Sequence, residues 1–335
     1  MASSRKICLG VAAFGFLLLV GGLAAGNPRL WQPGAVIATV GLALGIGAFP
    51  ALRGYQFTAW IIAAVAAGLI YPAAFLRWGD FDLRDKWVIL LVVQTVMFGM
   101  GTQMSLRDFA GVVRTPRGVL VGILCHFSVM PLVGLALTKL FHFPAEIAAG
   151  IILIGSCSSG LASNVMAYLA RANLALSVTV TAVTTMVAPL MTPLWMKLLA
   201  GALVEVKFFN MMMEIVEIVI VPIGAALLHD YLKHAAPAGR RRVGWAAAGS
   251  AAWLAFIALG GWVWLRAVLP GAALTAAGVG GFFAGAVVFG VIYHRLAAWR
   301  PQLDRLMPVA SMAGIVYFTT VTTAAGGAHL LPVGA

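Results

Sequence analysis

Residues 155–164 read Gly-Ser-Cys-Ser-Ser-Gly-Leu-Ala-Ser-Asn inside an otherwise apolar stretch. Ser156, Cys157, Ser158, Ser159 and Ser163 bring hydroxyl or thiol groups, and Asn164 brings an amide. At membrane depth such a run points to a helix broken over a protein-lined cavity, where freed carbonyls face cations and helix N-termini face anions. The same small residues would also serve close helix packing. In the next apolar stretch Ser177, Thr181 and Thr184 recur at helical spacing, so their hydroxyls share one face. Hydroxyl and amide oxygens are hard ligands suited to Na⁺, although intramembrane Ser and Thr often bond back to their own helix. His126, in Leu-Cys-His-Phe-Ser-Val-Met-Pro, and Glu217, one turn beyond Glu214, are ionisable groups in apolar runs. An ionisable residue there is expensive and marks a functional candidate. The competing readings are a hydrogen-bonded core histidine and a paired structural carboxylate. Cys157 or Ser158, with His126 as base, would also form a nucleophile pair for an intramembrane hydrolase.

The elements that must position these residues follow from composition. The apolar set makes up 62% of the chain and charged residues 10%, against roughly 45–50% and about 25% in a soluble domain. Eleven apolar stretches of spanning length lie near 7–26, 34–52, 57–76, 87–104, 117–140, 145–169, 174–200, 208–232, 246–268, 271–293 and 307–325. They are too long and too evenly apolar for barrel strands, so the expectation is an all-α polytopic membrane protein. The first stretch follows Arg5 and Lys6 and is too long for a signal-peptide core, which makes it a retained helix.

Net charge is +12, yet the basic residues sit singly between apolar stretches rather than on one soluble face, which excludes a nucleic-acid surface. The larger share of the 22 Lys and Arg residues falls in loops on the side of the N-terminus, including Arg107, Arg114, Arg117, Arg171, Arg240, Arg241 and Arg242. The N-terminus is therefore expected in the cytoplasm and the protein in the cell inner (plasma) membrane. Cys8, Cys125 and Cys157 lie in or beside apolar runs and form neither a disulfide framework nor a metal site. No metal beyond sodium and no organic cofactor is implied.

Several motifs occur in order. They are Phe98-Gly99-Met100-Gly101, Leu106-Arg107-Asp108-Phe109, Met130-Pro131-Leu132, Gly155-Ser156-Cys157, Ala162-Ser163-Asn164-Val165-Met166, Tyr168-Leu169-Ala170-Arg171, Ala175-Leu176-Ser177-Val178 and Ala188-Pro189-Leu190. Together they resemble the bile acid:sodium symporter family, from about Gly54 to about Leu228 and more weakly over 307–325.

The resemblance implies an inverted-repeat fold of ten helices with two broken helices crossing in a core. It also implies sodium-coupled symport of a small organic anion, such as a bile acid or other carboxylate, by alternating access and without enzymatic chemistry. On that template 1–53 holds additional N-terminal helices and 54–232 the first six family helices. Residues 233–300 hold an inserted helix pair, and 301–335 a segment like the seventh helix.

One family sodium site maps onto Ser163, Asn164, Ser177 and Thr181. His126 stands where a second site has glutamine, and its neutral ring would offer one lone pair. Cys157, Ser158, Ser159, Thr184 and Glu217 are the remaining substrate or coupling candidates. Ser158 and Ser159 replace the family's Pro-Gly. The second broken helix's Glu-Val-Gly-Met-Gln-Asn tract does not occur in the sequence, so the second repeat is expected to be incomplete. A membrane remnant that does not transport is the further alternative.

Overall fold

In hydrocarbon every main-chain N–H and C=O must find its partner within the protein, and the apolar stretches meet that demand as helices. A computed structural model describes residues 2–79, 81–160, 163, 164, 166, 167 and 170–330. In chain order the main elements are α1 (Ala2–Ala24), α2 (Pro28–Gly45), α3 (Gln56–Ile70), the antiparallel pair β1 (Arg77–Trp78) and β2 (Phe81–Asp82), and α4 (Lys86–Gly101). They continue with α5 (Pro116–Phe141), α6 (Ala145–Ser156), α7 (Leu174–Trp195), α8 (Phe208–Ile215) and α9 (Val221–His234). The last three are α10 (Pro237–Phe256), α11 (Gly271–Trp299) and α12 (Gln302–Leu330).

Each expected span has its helix. Among the described residues, 8 helices are long and apolar enough to cross a membrane. Helices α3, α4 and α6 are shorter, at 15, 16 and 12 residues. At about 1.5 Å per residue the longest of these rises roughly 24 Å, short of a core of about 30 Å. Helix α3 stops before Pro72, and α6 stops because the chain breaks there.

Among the described residues, three spans contain a π turn. Met196–Ala200 extends α7, Val216–Ile220 joins α8 to α9, and Ile257–Gly261 follows α10. Such turns insert one residue into the helical ladder and occur often at functional sites.

The chain divides into two compact units, which do not coincide with the segments expected from the sequence. The first runs to Val96 and resumes at Val309. In it α1 and α2 form a hairpin whose turn uses Gly26 at φ +61 and whose second helix is capped by the Asn27 side chain. The helices touch backbone to backbone: a Cβ on Gly41 would lie 2.8 Å from the Ala12 nitrogen. Lipid gives no hydrophobic drive for helices to associate, so close packing of this kind holds them. The Arg5 guanidinium donates to the Gly47 carbonyl at 2.7 Å, and the Tyr317 hydroxyl donates to Leu83 O at 2.9 Å.

The second unit runs from Met97 to Pro308. Phe98, Ala225, Ala226, Tyr293 and Ala297 form one buried cluster, and Ala149, Ile152, Met196 and Ala200 form another around α6. The Leu-Arg-Asp-Phe motif is a tied loop. Asp108 Oδ2 accepts from the Ser105 backbone N–H at 2.7 Å, and Asp230 of α9 accepts from the Ser105 hydroxyl at 3.0 Å.

Candidate functional site

Helix α6 ends at Ser156 because Cys157 turns to extended backbone, at φ −71 and ψ 161. A helix ended in a bilayer leaves carbonyls that, unpaired, cost several kcal/mol each. Two of them here receive side chains instead. The Thr192 hydroxyl of α7 donates to Ser156 O at 2.7 Å, and His126 Nε2 of α5 lies 2.8 Å from Cys157 O. A carbonyl only accepts, so His126 carries its proton on Nε2 and its lone pair, when neutral, on Nδ1. The approach of α5 is close: a Cβ on Gly155 would sit 2.6 Å from Met130 O, so only glycine fits there.

Beyond the break the backbone is helical again at Ser163 and Asn164, and Arg171 adopts left-handed φ 53 before Asn173 caps α7. The cap is the Asn173 side chain accepting from Leu176 N–H at 3.1 Å. This places Ser177 and Thr181, one turn apart, opposite Asn164. Both hydroxyls donate to Asn164 Oδ1, at 2.7 Å and 3.2 Å. Ser163 Oγ donates to Gly160 O at 2.7 Å, so the Ser159 hydroxyl is the donor in its 3.0 Å contact with Ser163 Oγ.

The structure thus brings Asn164, Ser177 and Thr181 into one hydrogen-bonded group and couples Ser163 to Ser159. His126 goes to Cys157 at the break. Thr184 is fully buried and donates to Thr181 O at 3.0 Å within its own helix, as does Thr185 at 2.8 Å. Ser158 lies in the non-helical stretch after Cys157, and Glu217 lies in the π turn Val216–Ile220. Leu161, Ala162, Val165, Tyr168 and Leu169 of the expected motifs, and Ala335, lie outside the described residues.

The group is made of neutral hydroxyl and amide oxygens, a hard donor set that fits a monovalent cation better than a soft or divalent metal. Among the described residues no cluster of three or more His, Cys, Asp or Glu could hold a metal ion. The contact that His126 makes with Cys157 is to the carbonyl oxygen rather than to the thiol.

Sequence reasoning missed Thr192, although it continues the stripe of Thr181 and Thr185 on α7. It also missed a polar knot at the end of α9. There Asp304 accepts from Lys233 Nζ at 2.7 Å and from the Tyr293 hydroxyl at 3.0 Å, with His229 Nε2 3.2 Å away.

Fold and site together define a multi-pass α-helical membrane protein whose polar group sits on a broken helix. Residues 88–267 match the profile of the Sodium Bile acid symporter family, and the chain belongs to that family, one of sodium-coupled transporters rather than enzymes. The match takes in α10, which the sequence reading had set apart. Relatives include the "Uncharacterized sodium-dependent transporter YocS" of Bacillus subtilis (strain 168), 38% identical over 175 residues that cover 52% of this chain and 52% of that protein. The "Probable sodium/metabolite cotransporter BASS1, chloroplastic" of Arabidopsis thaliana is 37% identical over 178 residues, 53% of this chain and 43% of that one. The "Ileal sodium/bile acid cotransporter" of Homo sapiens is 37% identical over 107 residues, 32% of this chain and 31% of that one. The chain thus spans about half the length, or less, of these curated relatives.

Proposed function

We propose that this chain is a symporter that moves a small organic anion across the cell inner membrane by alternating access, with Na⁺ as coupling ion. The observation that carries the reading is the convergence of Ser177 and Thr181 on Asn164 Oδ1 beside a broken helix. A cation entering there would turn those hydroxyl hydrogens outward and take up the oxygen lone pairs, with Ser163 the neighbouring hydroxyl. His126 and Thr192 keep the break open by occupying its carbonyls. Glu217, in its π turn, and the hydroxyls of Ser158 and Ser159 are the coupling candidates. The relatives' printed names, sodium-dependent transporter and sodium/metabolite cotransporter, favour the same class. Carboxylates, bile acids among them, are the substrate class.

The test is binding of radioactive ²²Na⁺ to the purified chain, with Asn164→Ala beside it, followed by uptake of taurocholate and of a small keto acid into liposomes under a sodium gradient. Saturable binding is expected, weakened about tenfold or more by Asn164→Ala. Binding that is unchanged by that substitution removes the site from this group.

A further inference from the structure

Helix α10 presents two chemistries along one face. Ala238, Arg241, Arg242 and Trp245 recur at spacings of three and four, and Ala246, Gly249 and Trp253 prolong the same stripe. Arg241, Arg242 and Trp245 line a hollow of about 510 Å³. Along the stripe follows a slot of about 430 Å³ between α10 and α11, with Gly249, Trp253, Gly280 and Phe283 in its walls. A Cβ added at Gly249 or Gly280 would meet nothing within 4 Å, so the slot is deepened by what these residues lack. Its walls are mostly apolar, with Ser250 the hydroxyl among them.

The head of this face is unneutralised. Among the described residues the ion pairs engage Asp82, Glu205 and Asp304, and none reaches Arg240, Arg241 or Arg242. Trp245, 70% exposed, stands beside the arginines as tryptophans do at a membrane interface. From Arg242 to Trp253 the helix rises roughly 16 Å, close to the roughly 15 Å hydrocarbon depth of one leaflet. A basic head over an apolar slot of leaflet depth complements an amphiphile with an anionic head.

We propose that this face binds an anionic phospholipid of the surrounding bilayer, its phosphate on Arg241 and Arg242 beside Trp245 and one acyl chain in the slot past Gly249 and Gly280. A free phosphate would satisfy the arginines and leave the slot unexplained. A zwitterionic lipid would fill the slot and bring the arginines an ammonium with its phosphate.

The experiment uses the delipidated full chain in neutral detergent. Native mass spectrometry compares retention of phosphatidylglycerol and phosphatidylcholine with identical acyl chains, with inorganic phosphate as competitor. The chain should prefer phosphatidylglycerol, and a double Arg241→Gln, Arg242→Gln variant should lose about tenfold or more of that retention. The matching pair of lysine substitutions should keep the preference. Arg240→Gln, outside the hollow, should also leave it unchanged. Gly249→Leu should lower retention of both lipids alike, which separates the slot from the head. Equal retention of the two lipids by the unaltered chain, or full retention by the double glutamine variant, overturns the proposal. So does displacement of the lipid by equimolar inorganic phosphate.

Discussion

His126 Nε2 donates a 2.8 Å hydrogen bond to the carbonyl oxygen of Cys157, where α6 ceases to be a helix. The donor lies 31 residues before its acceptor, on a different span, so the bond ties α5 to the break itself. His126→Gln keeps an N–H donor on a shorter arm, whereas His126→Leu leaves the carbonyl unpaired. We expect the leucine variant to lose about 1–3 kcal/mol of stability in detergent and the glutamine variant to lose less. Thermal unfolding of the two proteins side by side checks this, and equal losses would mean that the ring matters by its bulk.

Thr192 serves the neighbouring carbonyl, Ser156 O, from a fully interior position. Thr192→Val keeps the shape and deletes the hydroxyl, so the cost should again be about 1–3 kcal/mol. Thr192→Ser should restore most of it. A valine variant as stable as the parent would show that a water replaces the hydroxyl.

In the proposed sodium site, the amide oxygen of Asn164 is the shared acceptor for Ser177 and Thr181. Asn164→Ala should weaken sodium binding about tenfold or more while leaving the melting temperature nearly unchanged, because the group stabilises the ion more than the fold. Ser177→Ala should have the smaller effect, since Thr181 remains. Sodium titrations on the purified variants give the ratio directly.

Orientation is open to labelling. In a chain whose Cys8, Cys125 and Cys157 are replaced by alanine, Ala238→Cys should be shielded from an impermeant thiol reagent in intact cells, and Lys86→Cys should react. The opposite pattern reverses the assigned topology.

In the loop hairpin Asp82 is held down to about 2 from the usual 3.8, mainly by the side-chain hydrogen bond from Arg84, aided by that residue's backbone N–H. The folded value is the lower one. The contact therefore contributes above the ordinary carboxylate pKa and is lost as pH falls through about 2. The carboxyl carbon of Asp82 should titrate there by NMR, and Arg84→Ala should return it toward its ordinary range.

Much of this molecule was legible in its sequence, for a physical reason. Lipid forbids unpaired backbone, so length and apolarity alone located the spans. A polar decapeptide inside one of them pointed to a break, which falls at Cys157. The meeting of Ser177 and Thr181 with Asn164 was foreseen from helical spacing and the family resemblance together. Pairings across distant spans were not foreseen. Lys233 and Asp304 are 71 residues apart, and nothing in the local pattern of either announces the other. Asp230 sits in α9, where it accepts from Ser105, and Asp304 in the first turn of α12, where it accepts from Lys233 and Tyr293. The π turns were invisible for a simpler reason: one extra residue in a helix leaves its composition unchanged.

Helix α7 contains Pro189 and Pro193 and passes directly into the π turn Met196–Ala200. Neither proline has an N–H, so the carbonyls of Thr185 and Pro189 receive no main-chain donor from the turn above. The rod is therefore stiff from Leu174 to about Thr184, where it carries the Asn164 group, and compliant below. The hydroxyl of Thr192 sits in the compliant half and grips the end of α6. Bending stress in this part of the protein concentrates at that joint, and the oxygen cluster on the stiff half keeps its shape while the joint below it flexes.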